Sequence, residues 1–273
     1  MRKVVNVIVA GVPTAARDMQ EWRAKATFKV GGRKPLTPVS KLFQSFSPGV
    51  TDELRERVVR CLSESVELCR RDITASVEDA GEFRLEGPYR FNGSVGLDES
   101  EMTGLCREFA AACSGRDLVV LVGGDHAGGL LLYALEGKVA RFDEHSDACA
   151  TPATCPVGVT RNNYVCVAIR AGLKLPGEIT GVGVREGESP CETVRSASGA
   201  GVLDVDLDVL AEKHGIKTRY GKGNFSPDDL IHAVRSNKPR AIGVFEATPG
   251  DEKAVALVEK LAVEAAIARA RKA

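Results

Sequence analysis

The sequence predicts one α/β domain over residues 1–273, a three-layer α-β-α sandwich with a mostly parallel, doubly wound sheet. Short apolar stretches alternate with amphipathic helical stretches, an order typical of parallel strands joined by right-handed crossovers. Three of the apolar stretches also end in clustered Asp and His residues. Ligand-binding groups of open α/β sheets lie at the carboxyl ends of strands, so the sequence predicts a functional site together with the sheet.

The first half of the chain alternates strands and helices after a basic start. Residues 1–10 are apolar but interrupted by Asn6 and followed by Gly11, Val12 and Pro13, which favours a first buried strand over an export signal. Residues 14–50 carry no recognisable motif. The later predicted elements are a helix capped by Thr51 and ending near residue 71, a strand over 77–83, a helix over 97–114, a strand over 118–122, a helix over 127–137 and a strand over 138–142.

The second half of the chain also alternates predicted strands and helices. Ser226, Pro227, Asp228 and Asp229 form a strong helix start, with Pro at the first helical position and acids in the first turn. Gly215 is expected to end the helix before it. The predicted elements are a helix over 162–171, strands over 178–184 and 201–203, a helix over 208–214, a strand over 216–220, a helix from 227 and a helix over 251–272.

Composition excludes several classes of partner. Thirty-seven basic and 37 acidic residues give no net charge, so nothing favours nucleic acid or an anionic membrane. No run approaches the roughly 18 apolar residues of a membrane span, and we expect a soluble, cytoplasmic protein. Cys61, Cys69, Cys106 and Cys113 fall on apolar helix faces and are expected to be buried free thiols. Cys149 and Cys155 allow either a small disulfide or two free thiols.

Residues 141–147, Arg-Phe-Asp-Glu-His-Ser-Asp, carry the strongest functional pattern. Asp143, His145 and Asp147 alternate with other residues, and an extended backbone sends alternate side chains to one face. Two further strand ends offer His126, and Asp204 with Asp206. Each motif alone is compatible with a polar turn or a solvated loop, but all three in order, each after an apolar strand, favour a common site.

This ligand set indicates a particular metal chemistry. Two imidazoles and four carboxylates favour an ion harder than zinc, such as Mn²⁺, although another divalent metal is compatible. Six ligands exceed what one catalytic ion with an open position can use, so we expect two ions roughly 3.5–4 Å apart that activate water for hydrolysis. The predicted metal ligands are His126, Asp143, His145, Asp147, Asp204 and Asp206.

The three motifs, in this order, resemble those of the ureohydrolase family, which includes arginase and agmatinase and whose members hydrolyse guanidinium groups to urea with two manganese ions. The resemblance implies an arginase-like fold and a trimer or hexamer. It also implies Asp143 and Asp204 as bridging carboxylates. By the resemblance, one ion is held by His126, Asp143, Asp147 and Asp204, and the other by Asp143, His145, Asp204 and Asp206.

Two further segments fit the resemblance. Residues 241–249 are similar to the family's last active-site strand, which implies that Glu246 binds the guanidinium of the substrate. Residues 182–189 are similar to a substrate-recognition loop, in which Glu188 is the candidate contact and a solvated loop acid is the alternative. Asp147 is expected to accept a proton as well as bind metal, so the predicted catalytic residues are Asp147 and Glu246.

The sequence also departs from the family pattern. Glu144 replaces a usual Ala, and Ala127 replaces a usual Ser or Thr. The family's proton-shuttling His is missing from residues 156–164, where Asn162 or Asn163 is expected near its place. Neither amide titrates, so bulk water or an acid such as Glu144 would deliver the proton.

We therefore expect a binuclear-manganese hydrolase that uses a metal-bridging hydroxide to convert a small guanidino substrate to urea and an amine. One alternative is hydrolysis of another C–N bond, formimino or amide. The other is a non-catalytic protein of the same fold.

Overall fold

Seven parallel strands form the central sheet of the computed structural model. The structure describes residues 2–12, 48–83, 90–91, 95–96, 99–124, 126–145, 159, 163–183, 197–217, 223–248 and 250–272. The sheet strands are β1 (Lys3–Val12), β2 (Ile73–Glu82), β5 (Leu118–Gly123), β6 (Val139–Phe142), β7 (Ile179–Val182), β8 (Val202–Asp206) and β9 (Ala241–Phe245). Their spatial order is β2-β1-β5-β9-β8-β6-β7, with every neighbouring pair parallel. A separate antiparallel pair joins β3 (Arg90–Phe91) and β4 (Val95–Gly96).

Helices cover both faces of this sheet, so the expected three-layer α/β fold is confirmed. One apolar core lies beneath α1 (Pro48–Ser63), α2 (Val66–Arg70), α6 (Pro227–Asn237) and α7 (Glu252–Ala270). The other lies beneath α3 (Glu99–Ala112), α4 (Leu130–Tyr133) and α5 (Tyr164–Arg170). The inner strands β5, β6, β8 and β9 are buried throughout because both of their faces are covered.

Several helix starts follow from local side-chain chemistry. The predicted helix start at Ser226 is confirmed, and Ser226 and Asp229 form a reciprocal capping box at α6. Asp251 caps α7 by accepting hydrogen bonds from the backbone N–H groups of Lys253 and Ala254. The predicted helix over 51–71 is instead α1 and α2, because the Ser65 hydroxyl accepts from the Leu68 N–H and starts a second helix.

The segment after β8 is the largest departure from the predicted elements. It forms two 3₁₀ turns, Leu207–Val209 and Glu212–His214, where one helix over 208–214 was expected. Its backbone pairs with another segment: the Ala211 N–H donates to the Phe225 carbonyl at 2.8 Å. Gly215 ends the second turn with φ 68°, as expected.

Two other predicted elements are shorter or missing. The predicted helix over 127–137 is a 3₁₀ turn, His126–Gly129, followed by the four residues of α4. Lys217 is not in a strand. Its backbone N–H donates to the Asp251 carboxylate and its carbonyl accepts from the Thr248 hydroxyl, so side chains take the place of a neighbouring strand. Residues 218–220 of that predicted strand lie outside the described part of the chain.

The described cysteines are free, and their burial differs along the chain. Cys106 and Cys113 are buried as expected, whereas Cys61 is half-buried and Cys69 is exposed. Cys149 and Cys155 lie outside the described residues. No helix within the described ranges is both long and apolar enough to cross a lipid bilayer.

Candidate metal centre

Four adjacent strands, in the order β5-β9-β8-β6, bring His and acidic residues together at one edge of the sheet. Parallel strands end at the same edge, so residues distant in sequence become neighbours there. His126 follows β5, Glu246 follows β9, Asp206 ends β8 and Asp208 follows it, and Asp143 and His145 follow β6. All of these side chains are buried except that of His145, which is half-exposed.

His126 forms the first metal-capable group with Asp143 and Asp206. Its Nδ1 lies 3.1 Å from Asp143 Oδ2 and 3.1 Å from Asp206 Oδ2. The three ligand atoms lie within 4.8 Å of one another, close enough to surround one cation. Two aromatic rings pack against the imidazole and limit its rotation, with centroids 4.8 Å (Tyr164) and 5.3 Å (Phe245) from its own.

His145 forms the second group with Asp143 and Asp208. Its Nδ1 lies 2.8 Å from Asp208 Oδ2 and 3.5 Å from Asp143 Oδ1. The His145 backbone N–H also donates to Asp143 Oδ1 at 2.6 Å. Asp143 thus directs one oxygen toward each group, the geometry that a bridging carboxylate requires.

Glu246 completes a third group with Asp206 and Asp208. It is 4% exposed and has φ 60°, a left-handed conformation that is costly for a residue with a side chain. Its backbone N–H donates to the Gly124 carbonyl at 3.0 Å, which ties the end of β9 to the loop before His126. The surrounding structure therefore holds Glu246 in a strained conformation, with its buried carboxylate beside the two aspartates.

Arg141 places a buried guanidinium against this cluster. It donates to Asp143 Oδ2 and, at 2.8 Å, to the His145 carbonyl oxygen. Arg141 and Asp143 alternate at the end of β6 and share one face, and the chain bends at Glu144 and His145. Arg141 therefore fixes the turn that presents the metal-capable side chains.

The carboxylates of the cluster have strongly divergent pKa values. Burial raises the pKa of Asp206 well above its usual range. Burial, followed by the charge of Asp143, raises the pKa of Asp208 to about 6. For Asp143, burial also acts upward, but hydrogen bonds from His126 and His145 outweigh it and lower the pKa. Such divergence among neighbouring groups is characteristic of functional sites.

The same architecture is found in solved structures of known enzymes. An arginase from Bacillus cereus superposes with a TM-score of 0.60 at 16% identity, covering 96% of this chain and 98% of that one. Proclavaminate amidinohydrolase from Streptomyces clavuligerus gives 0.62 at 14% identity, with 98% and 93% covered. Formimidoylglutamase from Bacillus subtilis gives 0.59 at 14% identity, with 97% and 88% covered.

The chain has the arginase fold. The fold implied by the sequence motifs is thereby confirmed. No protein-family model matches the sequence, and no curated protein matches it in sequence comparison.

The donor set of this arginase fold suits a pair of divalent cations. The set combines two imidazoles with the carboxylates of Asp143, Asp206, Asp208 and Glu246. Because most of its donor atoms are hard carboxylate oxygens, it favours ions such as Mn²⁺ or Mg²⁺. Bringing these carboxylates together is electrostatically costly, and cations between them would offset that cost. The residues therefore fit the metals that the sequence motifs suggest.

Asp204 departs from its expected position. It belongs to none of the metal-capable groups among the described residues. The group that contains Asp206 and Glu246 has Asp208 as its third member. The reason is the length of β8, which continues through Asp206, so that Asp204 lies inside the strand. Metal ligation by Asp204 stays a prediction from the sequence, and Asp208 is a further ligand candidate that sequence reasoning missed.

The remaining expected site residues lie outside the metal-capable groups or outside the described part of the chain. Asn163 is 1% exposed and directly precedes α5, and its contact with substrate stays a prediction. Glu144 uses its backbone N–H to bind Asp208 Oδ1 at 3.2 Å. Asp147, Asn162 and Glu188 lie outside the described residues.

Proposed function

We propose that this chain is a metal-dependent ureohydrolase that converts a guanidino compound to urea and an amine. The observation that carries the proposal is the meeting of His126, Asp143, His145, Asp206 and Asp208 at the ends of adjacent strands in an arginase fold. A fold alone does not specify an activity, but a buried set of ligands at its functional edge restricts the chemistry.

Two manganese ions are the proposed cofactor. His126, Asp143 and Asp206 would hold one ion, with Asp147 as a further ligand on the sequence motif. Asp143, His145 and Asp208 would hold the other, with Asp206 close enough to be shared. When bound, such a pair supplies Lewis acidity and a hydrolytic nucleophile at neutral pH.

Glu246 is the proposed binding residue for the cationic end of the substrate. A guanidinium is planar and donates paired hydrogen bonds that a carboxylate accepts. Glu246 sits within 4.8 Å of ligand atoms of Asp206 and Asp208, so a guanidinium bound there would lie next to the metal pair. Burial strengthens this pairing because water competes poorly for the same groups.

The protein's other groups would position the reactants and move protons. Arg141 holds Asp143 and the His145 carbonyl, and thereby the geometry of the ligands. Asp147 is proposed to accept a proton as well as ligate, as the sequence motif implies. The family's shuttling His has no counterpart in residues 156–164, so proton delivery to the leaving amine would fall to water or Glu144.

A second candidate activity is hydrolysis of a formimino C–N bond. It is favoured by the fold that this chain shares with a formimidoylglutamase. The products separate the two activities, because cleavage of a guanidino group releases urea and cleavage of a formimino group does not.

The test is a substrate panel with the Mn²⁺-loaded protein. Arginine, agmatine, guanidinobutyrate, formiminoglutamate and an acyl-lysine are each assayed for urea and for amine release. We expect urea from at least one guanidino compound, and its loss in Asp206→Asn. The matched control is Asp72→Asn, since Asp72 is exposed before β2, at the opposite edge of the sheet. Metal binding without turnover of any compound would support a non-catalytic role and contradict the proposal.

A further inference from the structure

A buried polar network lies behind His126, on the side of the ring away from the metal-capable groups. Asp204 Oδ1 lies 3.0 Å from His126 Nε2. Asp204 Oδ2 accepts hydrogen bonds from the Tyr133 hydroxyl at 3.1 Å and the Tyr164 hydroxyl at 2.8 Å. Asp204, His126 and both tyrosines are 0% exposed. Both carboxylate oxygens therefore have partners, as a buried carboxylate requires.

The two nitrogens of His126 face different surroundings. Nδ1 faces Asp143 and Asp206, whereas Nε2 faces Asp204 and, at 2.8 Å, the Tyr164 hydroxyl. A neutral imidazole carries one N–H, and a cation bound at Nδ1 needs a lone pair there. The proton must then be on Nε2. A carboxylate accepts hydrogen bonds without donating any, so Asp204 favours a proton on Nε2, whereas Asp143 and Asp206 accept from Nδ1 only when no cation is bound there.

The packing around Asp204 is fitted to this arrangement. Gly129 lies so close that a Cβ there would be 3.1 Å from Asp204 Oδ1 and 3.2 Å from Tyr164 Cε2. Asp204 is also fixed by its strand, in register with Arg141 on β6 and Gly243 on β9. The carboxylate is therefore held against the ring by a site that leaves little room for another geometry.

From these contacts we infer that Asp204 is a positioning residue, which orients His126 and fixes its Nε2–H tautomer through a network with Tyr133 and Tyr164. The inference rests on the proposed function, because it assigns His126 Nδ1 to a metal ion. It also replaces the expected role of Asp204 as a ligand. Partners of this kind raise the basicity of a ligating imidazole and restrict its rotation.

The first test is metal binding by Asp204→Asn, which keeps the volume but removes the charge. Isothermal titration with Mn²⁺ should show two ions at saturation, as in the wild type, with affinity at one site weaker by about 10–100-fold. Asp206→Asn, by contrast, should take up fewer ions. A loss of one ion from Asp204→Asn would identify Asp204 as a ligand and overturn the inference. Wild-type affinities at both sites would overturn it as well.

The second test reads the imidazole directly in metal-free protein. The chain has four histidines, so ¹⁵N-labelled imidazoles can be assigned with a His126→Gln variant. In metal-free protein Asp143 and Asp206 also accept from Nδ1, so wild-type His126 should carry a proton on Nε2 either alone or as an imidazolium, and Asp204→Asn should lower the population that has Nε2–H. Tyr133→Phe is the milder variant, since Tyr133 touches Asp204 and should change the signal less. A wild-type ring with no proton on Nε2, or no change in Asp204→Asn, would contradict the network.

The two tests separate this inference from the proposed function. If wild-type protein takes up no Mn²⁺, the proposed function fails, and with it the assignment of His126 to a metal. If the wild type binds two ions and hydrolyses substrate but Asp204→Asn is unchanged in affinity and tautomer, only the positioning role fails.

Discussion

The strained backbone at Glu246 predicts an unusual order of stabilities between two substitutions. Glu246→Ala and Glu246→Gly remove the same carboxylate, but only glycine adopts φ 60° without cost. An alanine there retains a left-handed penalty of about 1–2 kcal/mol. The greater freedom of glycine in the unfolded chain offsets about 0.5–1 kcal/mol of this difference. We therefore expect Glu246→Gly to be more stable than Glu246→Ala by roughly 0.5–1 kcal/mol.

The assay is urea-induced unfolding of the metal-free variants, followed by circular dichroism. Lys238 is a matched control, because it also has a positive φ, 49°, but lies at the C-terminus of α6 outside the site. Lys238→Gly should be more stable than Lys238→Ala by a similar free energy of unfolding. If the Lys238 pair behaves in this way while Glu246→Ala is as stable as Glu246→Gly or more stable, the argument that the fold holds residue 246 in a strained conformation is refuted. Both Glu246 variants should lose hydrolysis of guanidino substrates.

Three further outcomes follow from the structure. Asp208→Asn should lower Mn²⁺ uptake in equilibrium dialysis by about one ion per chain, because Asp208 shares a group with Asp143 and His145, whereas Asp72→Asn should bind as the wild type does. Unchanged uptake by Asp208→Asn would restore Asp204 as the candidate ligand. Hydrogen bonds from Arg235, opposed by burial and aided by Lys260, lower the pKa of Glu264 from 4.5 to about 2. A carboxyl whose pKa is lowered by folding stabilises the fold at pH values above its pKa in the unfolded chain. The free energy of unfolding of the wild type should therefore be about 2 kcal/mol larger than that of Glu264→Gln at pH 7, after allowance for the half-exposed Arg235. That difference should shrink as pH falls from about 4.5 toward 2 in acid titrations of stability, and a constant difference would refute the ion-pair account. Burial raises the pKa of Cys106 and Cys113 to about 12, so a thiol reagent should modify the exposed Cys69 before either of them. Mass spectrometry showing equal labelling of these three cysteines would contradict this burial.

The layout of the fold could be predicted because it depends on local patterns. Apolar strands followed by polar residues identify strand ends, and this placed His126, Asp143 and His145 at one edge of the sheet. The cap at Ser226 was predictable for the same reason, since a capping box involves only neighbouring residues.

The assignment of aspartates on β8 could not be settled from sequence. Asp204, Asp206 and Asp208 alternate, so a period of two puts any pair of them on one face of an extended strand. Only the position at which β8 ends separates the metal-capable pair from Asp204, and strand boundaries depend on tertiary pairing. The alternation continues to Asp208 and is the available signal, but the predicted helix over 208–214 places this residue outside the strand.

The network behind His126 was beyond sequence reasoning for another reason. Tyr133 and Tyr164 reach Asp204 from separate helices, 71 and 40 residues away along the chain. No local pattern marks such contacts. Arg141, by contrast, alternates with Asp143 and His145, so its place on the metal-facing side was available in the sequence.

The central claim is that a pair of cations binds between β6, β8 and the loop after β5. Anomalous diffraction at the manganese edge, from crystals of the wild-type protein grown with Mn²⁺, tests it most directly. We expect two peaks roughly 3.5–4 Å apart, one in contact with His126 Nδ1 and the other with His145 Nδ1. No peak at this edge of the sheet, or peaks bound only to surface carboxylates, would contradict the account.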